Sequence, residues 1–76
     1  MSDLDKDIDL IERYYMNALD KRQQSFSFSK SILSSKYPIK EVLDYWKKEY
    51  QHQATFGISE YEIEITISEH EYRSSI

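Results

Sequence analysis

Residues 60–68 read Glu-Tyr-Glu-Ile-Glu-Ile-Thr-Ile-Ser, and this alternation constrains the chain more than any other feature. Tyr61, Ile63, Ile65 and Ile67 fall on one side of an extended strand, and Glu62, Glu64, Thr66 and Ser68 fall on the other. Such a strand has one face to bury and one row of carboxylates to leave in water. It also needs strand partners and a cover, because a pair of strands alone is marginal in water.

The cover is legible upstream. Over residues 3–24, Leu4, Ile8, Ile11, Tyr15, Ala18 and Leu19 recur at three- and four-residue steps, the spacing of one helical face. Asp3, Asp5 and Asp7 stand at its start and Lys21 and Arg22 at its end, both complementing the helix dipole. Ser2 with Asp5 resembles a capping box with Asp in place of Glu. Residues 39–53 repeat the pattern with Ile39, Val42, Leu43, Trp46 and Tyr50. Pro38 fits the first turn, and Gly57 is the expected stop.

Residues 25–35 fit two descriptions. Ser25-Phe26-Ser27-Phe28-Ser29 alternates like a strand, whereas Phe26, Phe28, Ile32, Leu33 and Tyr37 also fit one side of a short helix. The strand reading gives α-β-α-β, with residues 39–53 as a crossover and 25–29 parallel to 60–68; a two-stranded parallel sheet with one polar face is rare. The helical reading is therefore preferred. The expected fold is a small, helix-dominated α+β single domain: two main helices, a short helix or strand at 25–35, and a C-terminal strand or hairpin. The domain is expected over 1–72, with 73–76 frayed.

In the helical reading, a short helix at 29–34, the connection Ser35-Lys36-Tyr37-Pro38 and a helix from Ile39 have helix-turn-helix spacing. A hairpin of 54–58 with 61–67 then stands where a winged-helix domain has its wing. Across most of the chain the pattern of elements resembles a winged helix, which implies nucleic-acid binding through Lys30, Lys36, Lys40, Lys47 and Lys48. Glu41 and Asp44 on the same helix weaken that electrostatic footprint.

Charge is segregated. The chain has 76 residues and a net charge of -4. Residues 1–20 hold six acids and two bases, residues 21–56 seven bases and three acids, and residues 57–76 five acids and one base. An acidic surface of this kind suits a partner with a basic groove, although a charge run is more often a solvated face, and acids on a strand also discourage edge pairing. Seven Tyr and one Trp add the residue types enriched at binding hot spots. Tyr14, Tyr45, Glu60, Glu62, Glu64 and Tyr72 are the expected partner contacts.

Chemistry has little support. There is no Cys and one Gly, so neither a thiolate site nor a Gly-rich phosphate loop can form. Glu49 and His52 have the Glu-x-x-His spacing of di-iron bundles, but no second copy follows. His52 and His70 are read as surface residues. No enzyme, metal or cofactor is expected. The longest apolar runs are two or three residues, far short of the ~20 that span a membrane, and the acidic start lacks the basic and apolar segments of a signal peptide. The expectation is a cytoplasmic protein-interaction module, a regulator or inhibitor of the kind a phage or mobile element encodes. Nucleic-acid binding is the alternative. A homo-oligomer is the third reading, formed by pairing of the strand at 60–68 with its own copy.

Overall fold

A computed structural model describes residues 3–34 and 36–68. The chain runs α1 (Asp3–Asp20), β1 (Ser25–Ser29), a single 3-10 turn (Lys30–Ile32), α2 (Ile39–Tyr50), β2 (Ala54–Ile58) and β3 (Glu62–Ile67). The strands form one antiparallel sheet in the order β1-β3-β2. Both helices lie on one face of it, giving the expected α+β domain of two layers. The Ser2 cap, His70, Tyr72 and the 73–76 tail lie outside the described residues, as does the expected boundary at 72.

The core is where the two periodicities meet. Ile8, Ile11, Tyr15 and Ala18 of α1 and Val42, Leu43 and Trp46 of α2 bury against Phe28, Ala54, Ile63, Ile65 and Ile67 of the sheet. Cross-strand rows carry this face: Phe26 opposes Ile65, which opposes Phe56, and Phe28 opposes Ile63, which opposes Ile58. Each fully buried Ile contributes on the order of 1.5–3 kcal/mol of transfer free energy. Tyr61, expected on this face, stands in the hairpin turn and is 74% exposed, since β3 begins only at Glu62.

The ambiguous stretch resolves mainly against the preferred helix. Residues 25–29 are a strand, and the helix expected at 29–34 shrinks to three residues capped by the Ser29 hydroxyl, which accepts from the Ser31 N–H at 3.3 Å. Serine favours such local bonds over helix interiors. The parallel pairing of 25–29 with 60–68 does not occur either. The α2 crossover joins β1 to β2, the hairpin then reverses the chain, and β3 inserts between them, so every interface is antiparallel. The reversal is held by Ser59, whose N–H and hydroxyl both donate to the Glu62 carbonyl at 2.9 Å, while the Glu62 N–H donates to Ser59 Oγ at 3.1 Å.

Both helices stop without glycine. Arg22 (φ 57°) ends α1, with the Gln23 N–H donating to the Ala18 carbonyl at 2.9 Å. Gln51 (φ 56°, ψ 42°) ends α2, with the His52 N–H donating to the Lys47 carbonyl at 3.0 Å. These are Schellman closures built on left-handed non-glycine residues. The expected stop, Gly57, instead lies within β2. Asp7 was expected only to complement the helix dipole; it is buried, and its Oδ1 accepts the Ser34 N–H at 2.8 Å, tying Ser34, just past the 3-10 turn, to α1.

Candidate functional site

Because β3 is the central strand, its outward residues are the middle of a platform, not a rim. Glu64 lies between Ser27 of β1 and Gly57 of β2, Glu62 lies beside Ser29, and Thr66 lies between Ser25 and Thr55. All of these side chains are exposed. Ser27, Gly57, Ile58, Ser59, Glu62 and Glu64 line a shallow depression of about 390 Å³. None of the three strands carries a Lys or Arg, so no strand residue sets a cation beside the two carboxylates.

Gly57 contributes by omission. A Cβ there would sit 3.9 Å from Glu64 Cβ, an ordinary contact, and φ is not positive, so the backbone does not demand glycine. The missing side chain leaves Glu64 uncovered on that side. Edge protection cannot account for Glu62 and Glu64 either, since β3 is paired on both flanks. The same geometry removes the expected homo-oligomer contact through 60–68, because that strand has no open edge.

The other expected contacts are dispersed. Glu60 is exposed in the hairpin turn beside Tyr61. Tyr14 and Tyr45 belong to the helical layer, on the far side of the sheet, at 38% and 45% exposure, and Tyr14 stacks on Phe28 with ring centres 5.7 Å apart. The acids therefore form one surface, and the two tyrosines do not join it.

The lysines are also scattered. Lys36, Lys40 and Lys48 are exposed, Lys30 is half-buried in the 3-10 turn, and Lys47 lies half-buried with Nζ 5.8 Å from the Phe56 ring centre. Glu41 and Asp44 stand among those on α2.

A second constellation escaped the sequence reading. Glu12 Oε1 accepts from Trp46 Nε1 at 3.0 Å and bonds His52 Nε2 at 2.8 Å, joining α1, α2 and the entry to β2. The His52 ring lies 3.9 Å from Tyr15 and 5.1 Å from Trp46, centre to centre, and Tyr50 stacks on it at 6.0 Å. The left-handed turn at Gln51 sends His52 back to Glu12, so His52 bonds across to α1 in place of the Glu49 pairing that Glu-x-x-His spacing implied. Partial burial raises the Tyr50 phenol above its ordinary value of 10.0, reinforced by the negative charges of Glu12, Asp9, Glu49 and Asp5. The available signal was Trp46 itself: a buried indole needs an acceptor, and Glu12 flanks the α1 stripe one turn beyond Ile8. The network fastens the core; among the described residues, no group of three or more His, Cys, Asp or Glu is placed to hold a metal ion.

No known protein family, curated protein or solved structure matches this chain. No described helix is long and apolar enough to cross a membrane.

Proposed function

We propose that this chain is a protein-interaction module, a regulator or inhibitor that receives a basic partner surface on the outer face of its sheet. The observation that carries this reading is the placement of Glu62 and Glu64 on the central strand, flanked by Ser27, Ser29 and Gly57, in a sheet whose strands carry no Lys or Arg. Small neighbours let a guanidinium or ammonium group approach both carboxylates, and serine hydroxyls offer further hydrogen bonds to it. Such complementarity governs partner choice and association rate more than raw affinity. A cytoplasmic setting belongs to the same reading, supported by the absence of cysteine.

The test is parallel affinity capture from the source cell, with mass spectrometry, using the natural chain, a Glu62→Gln/Glu64→Gln variant and Gly57→Lys. Gly57→Lys places an ammonium beside Glu64 without altering a carboxylate. The reading predicts one partner lost from both variants while melting temperature holds; capture that survives both would refute it.

Nucleic-acid binding through Lys30, Lys36, Lys40, Lys47 and Lys48 is the second reading. The hairpin that follows α2, in the place of a wing, favours it, and the reduction of the 29–34 helix to one turn weighs against it. It predicts salt-sensitive binding that disappears in Lys47→Glu/Lys48→Glu.

A further inference from the structure

The two edges of the sheet are not alike. At the ends of the β1–β3 ladder, the Lys30 N–H donates to the Tyr61 carbonyl at 3.0 Å and the Ile67 N–H to the Gln24 carbonyl at 2.8 Å. Antiparallel pairing alternates, so Phe26 and Phe28 complete the bonds to β3. Ser25 and Ser27 therefore turn their backbone N–H and C=O groups outward, and Ser29 its N–H, where no other described strand pairs with them. At the opposite edge, bonds from Ser59 to Glu62 and from Ser68 to Gln53 leave Ala54, Phe56 and Ile58 facing out. Lys47 lies over Phe56 there, and a lysine at an edge is a common guard against strand addition. β1 has no such guard: its five residues include no charge and no proline, and its pairing has no bulge.

The sequence of β1 is also a palindrome, Ser-Phe-Ser-Phe-Ser. Antiparallel pairing with a second copy about a two-fold axis at Ser27 sets Ser27 opposite Ser27, Ser25 opposite Ser29 and Phe26 opposite Phe28. All three serine pairs are the outward, hydrogen-bonding kind: the Ser27 pair exchanges two backbone bonds, and each Ser25–Ser29 pair gains the bond from the Ser29 N–H to the Ser25 carbonyl, because the Ser29 carbonyl already caps the 3-10 turn. We infer that β1 is the seam of a homodimer, which joins two sheets into one in the order β2-β3-β1-β1-β3-β2.

Charge permits this seam. Lys30 meets the uncharged Gln24 of the second copy, and the Glu64 residues of the two copies stand three strand spacings apart, about 14 Å, beyond the roughly 8 Å screening length at physiological salt. On the helical side, Phe26 and Phe28 form cross-strand aromatic pairs, flanked by the partly exposed Tyr14 that stacks on Phe28. An isologous contact of this kind closes on itself and does not propagate. The inference does not depend on the docking face; if both hold, the dimer carries two acidic rows on one continuous platform.

Sedimentation equilibrium of the full chain tests it first, with a doubled mass expected across the micromolar range. Ser27→Cys gives the specific readout. Directly opposed residues in a hydrogen-bonded pair lie about 5.5 Å apart at Cα, within the roughly 4.4–6.8 Å that a disulfide bridges, and the chain has no other cysteine. Mild oxidation should crosslink Ser27→Cys and leave Thr55→Cys, near the other edge, uncrosslinked. Ser27→Pro removes an outward N–H and none of the bonds to β3, so it should raise the dimer dissociation constant roughly tenfold or more. A monomer at all concentrations, crosslinking at position 55 in place of 27, or a dimer indifferent to Ser27→Pro would each overturn the assignment.

Discussion

Replacing Glu12 with alanine should remove much of the stability of this domain. Its Oε1 is the acceptor for the indole N–H of Trp46, a residue with no exposed surface, and it also bonds His52. Leaving the buried indole N–H without a partner costs about 1–3 kcal/mol, and the lost histidine bond adds about 0.5–1.5 kcal/mol. The total is about 1.5–4.5 kcal/mol, against roughly 3–5 kcal/mol for a single small core. Trp46 is the only tryptophan, so urea unfolding followed by its fluorescence reports on this site directly. With a urea slope near 1 kcal/mol per molar for so small a chain, Glu12→Ala should lower the midpoint by about 1.5–4.5 M, or leave the chain unfolded in water. Glu12→Gln keeps an oxygen acceptor for the indole and should cost about 1 kcal/mol. A Glu12→Ala loss below about 0.5 kcal/mol, or a Gln variant as damaging as the Ala variant, would refute the reasoning that an orphaned indole sets the cost.

Three further outcomes follow from the same structure. Gln51→Gly and Arg22→Gly should each stabilise by about 0.5–1 kcal/mol by relieving a left-handed backbone, measured by chemical denaturation; destabilisation of both would contradict the cap assignments. Asp7→Ala should cost about 1–3 kcal/mol and accelerate hydrogen exchange at the Ser34 amide, whereas Asp7→Asn should retain most protection; unchanged exchange in Asp7→Ala would remove the brace. The folded Tyr50 phenol holds its proton more tightly than an unfolded one, so its contribution is fully present below pH 10 and is lost as pH rises through its elevated folded value. Tyr50→Phe should flatten the alkaline limb of a stability–pH curve, and an unaltered limb would show that Tyr50 does not titrate with unfolding.

The helices and the terminal hairpin were legible because each is a strong local periodicity: Ile8-Ile11-Tyr15-Ala18, Val42-Leu43-Trp46 and Ile63-Ile65-Ile67 all reached the core as their spacing required. What escaped was decided by residues far apart in the chain. Ser25–Ser29 suits either periodicity, and it becomes a strand because β3 offers it an unpaired side. The central position of β3, which changes the meaning of Glu62 and Glu64, follows only once that third strand is in place. Helix ends were misplaced because Gln51 and Arg22 adopt a conformation that sequence reading assigns to glycine. Asp7 and Glu12 looked like ordinary members of an acidic helix, but their partners, Ser34, Trp46 and His52, lie 27 to 40 positions away along the chain, farther than any helical contact reaches. The acidic half of the candidate site was thus visible as composition, and its serine and glycine frame was not.

The docking face is the central claim, and amide chemical-shift mapping tests it most directly once a partner has been captured. Titrating that partner into the isotope-labelled chain should shift the amides of Ser25, Ser27, Ser29, Gly57, Glu62, Glu64 and Thr66 together, with α2 left largely unperturbed. Shifts concentrated instead at Lys40, Lys47 and Lys48, with the outer face of the sheet silent, would contradict it.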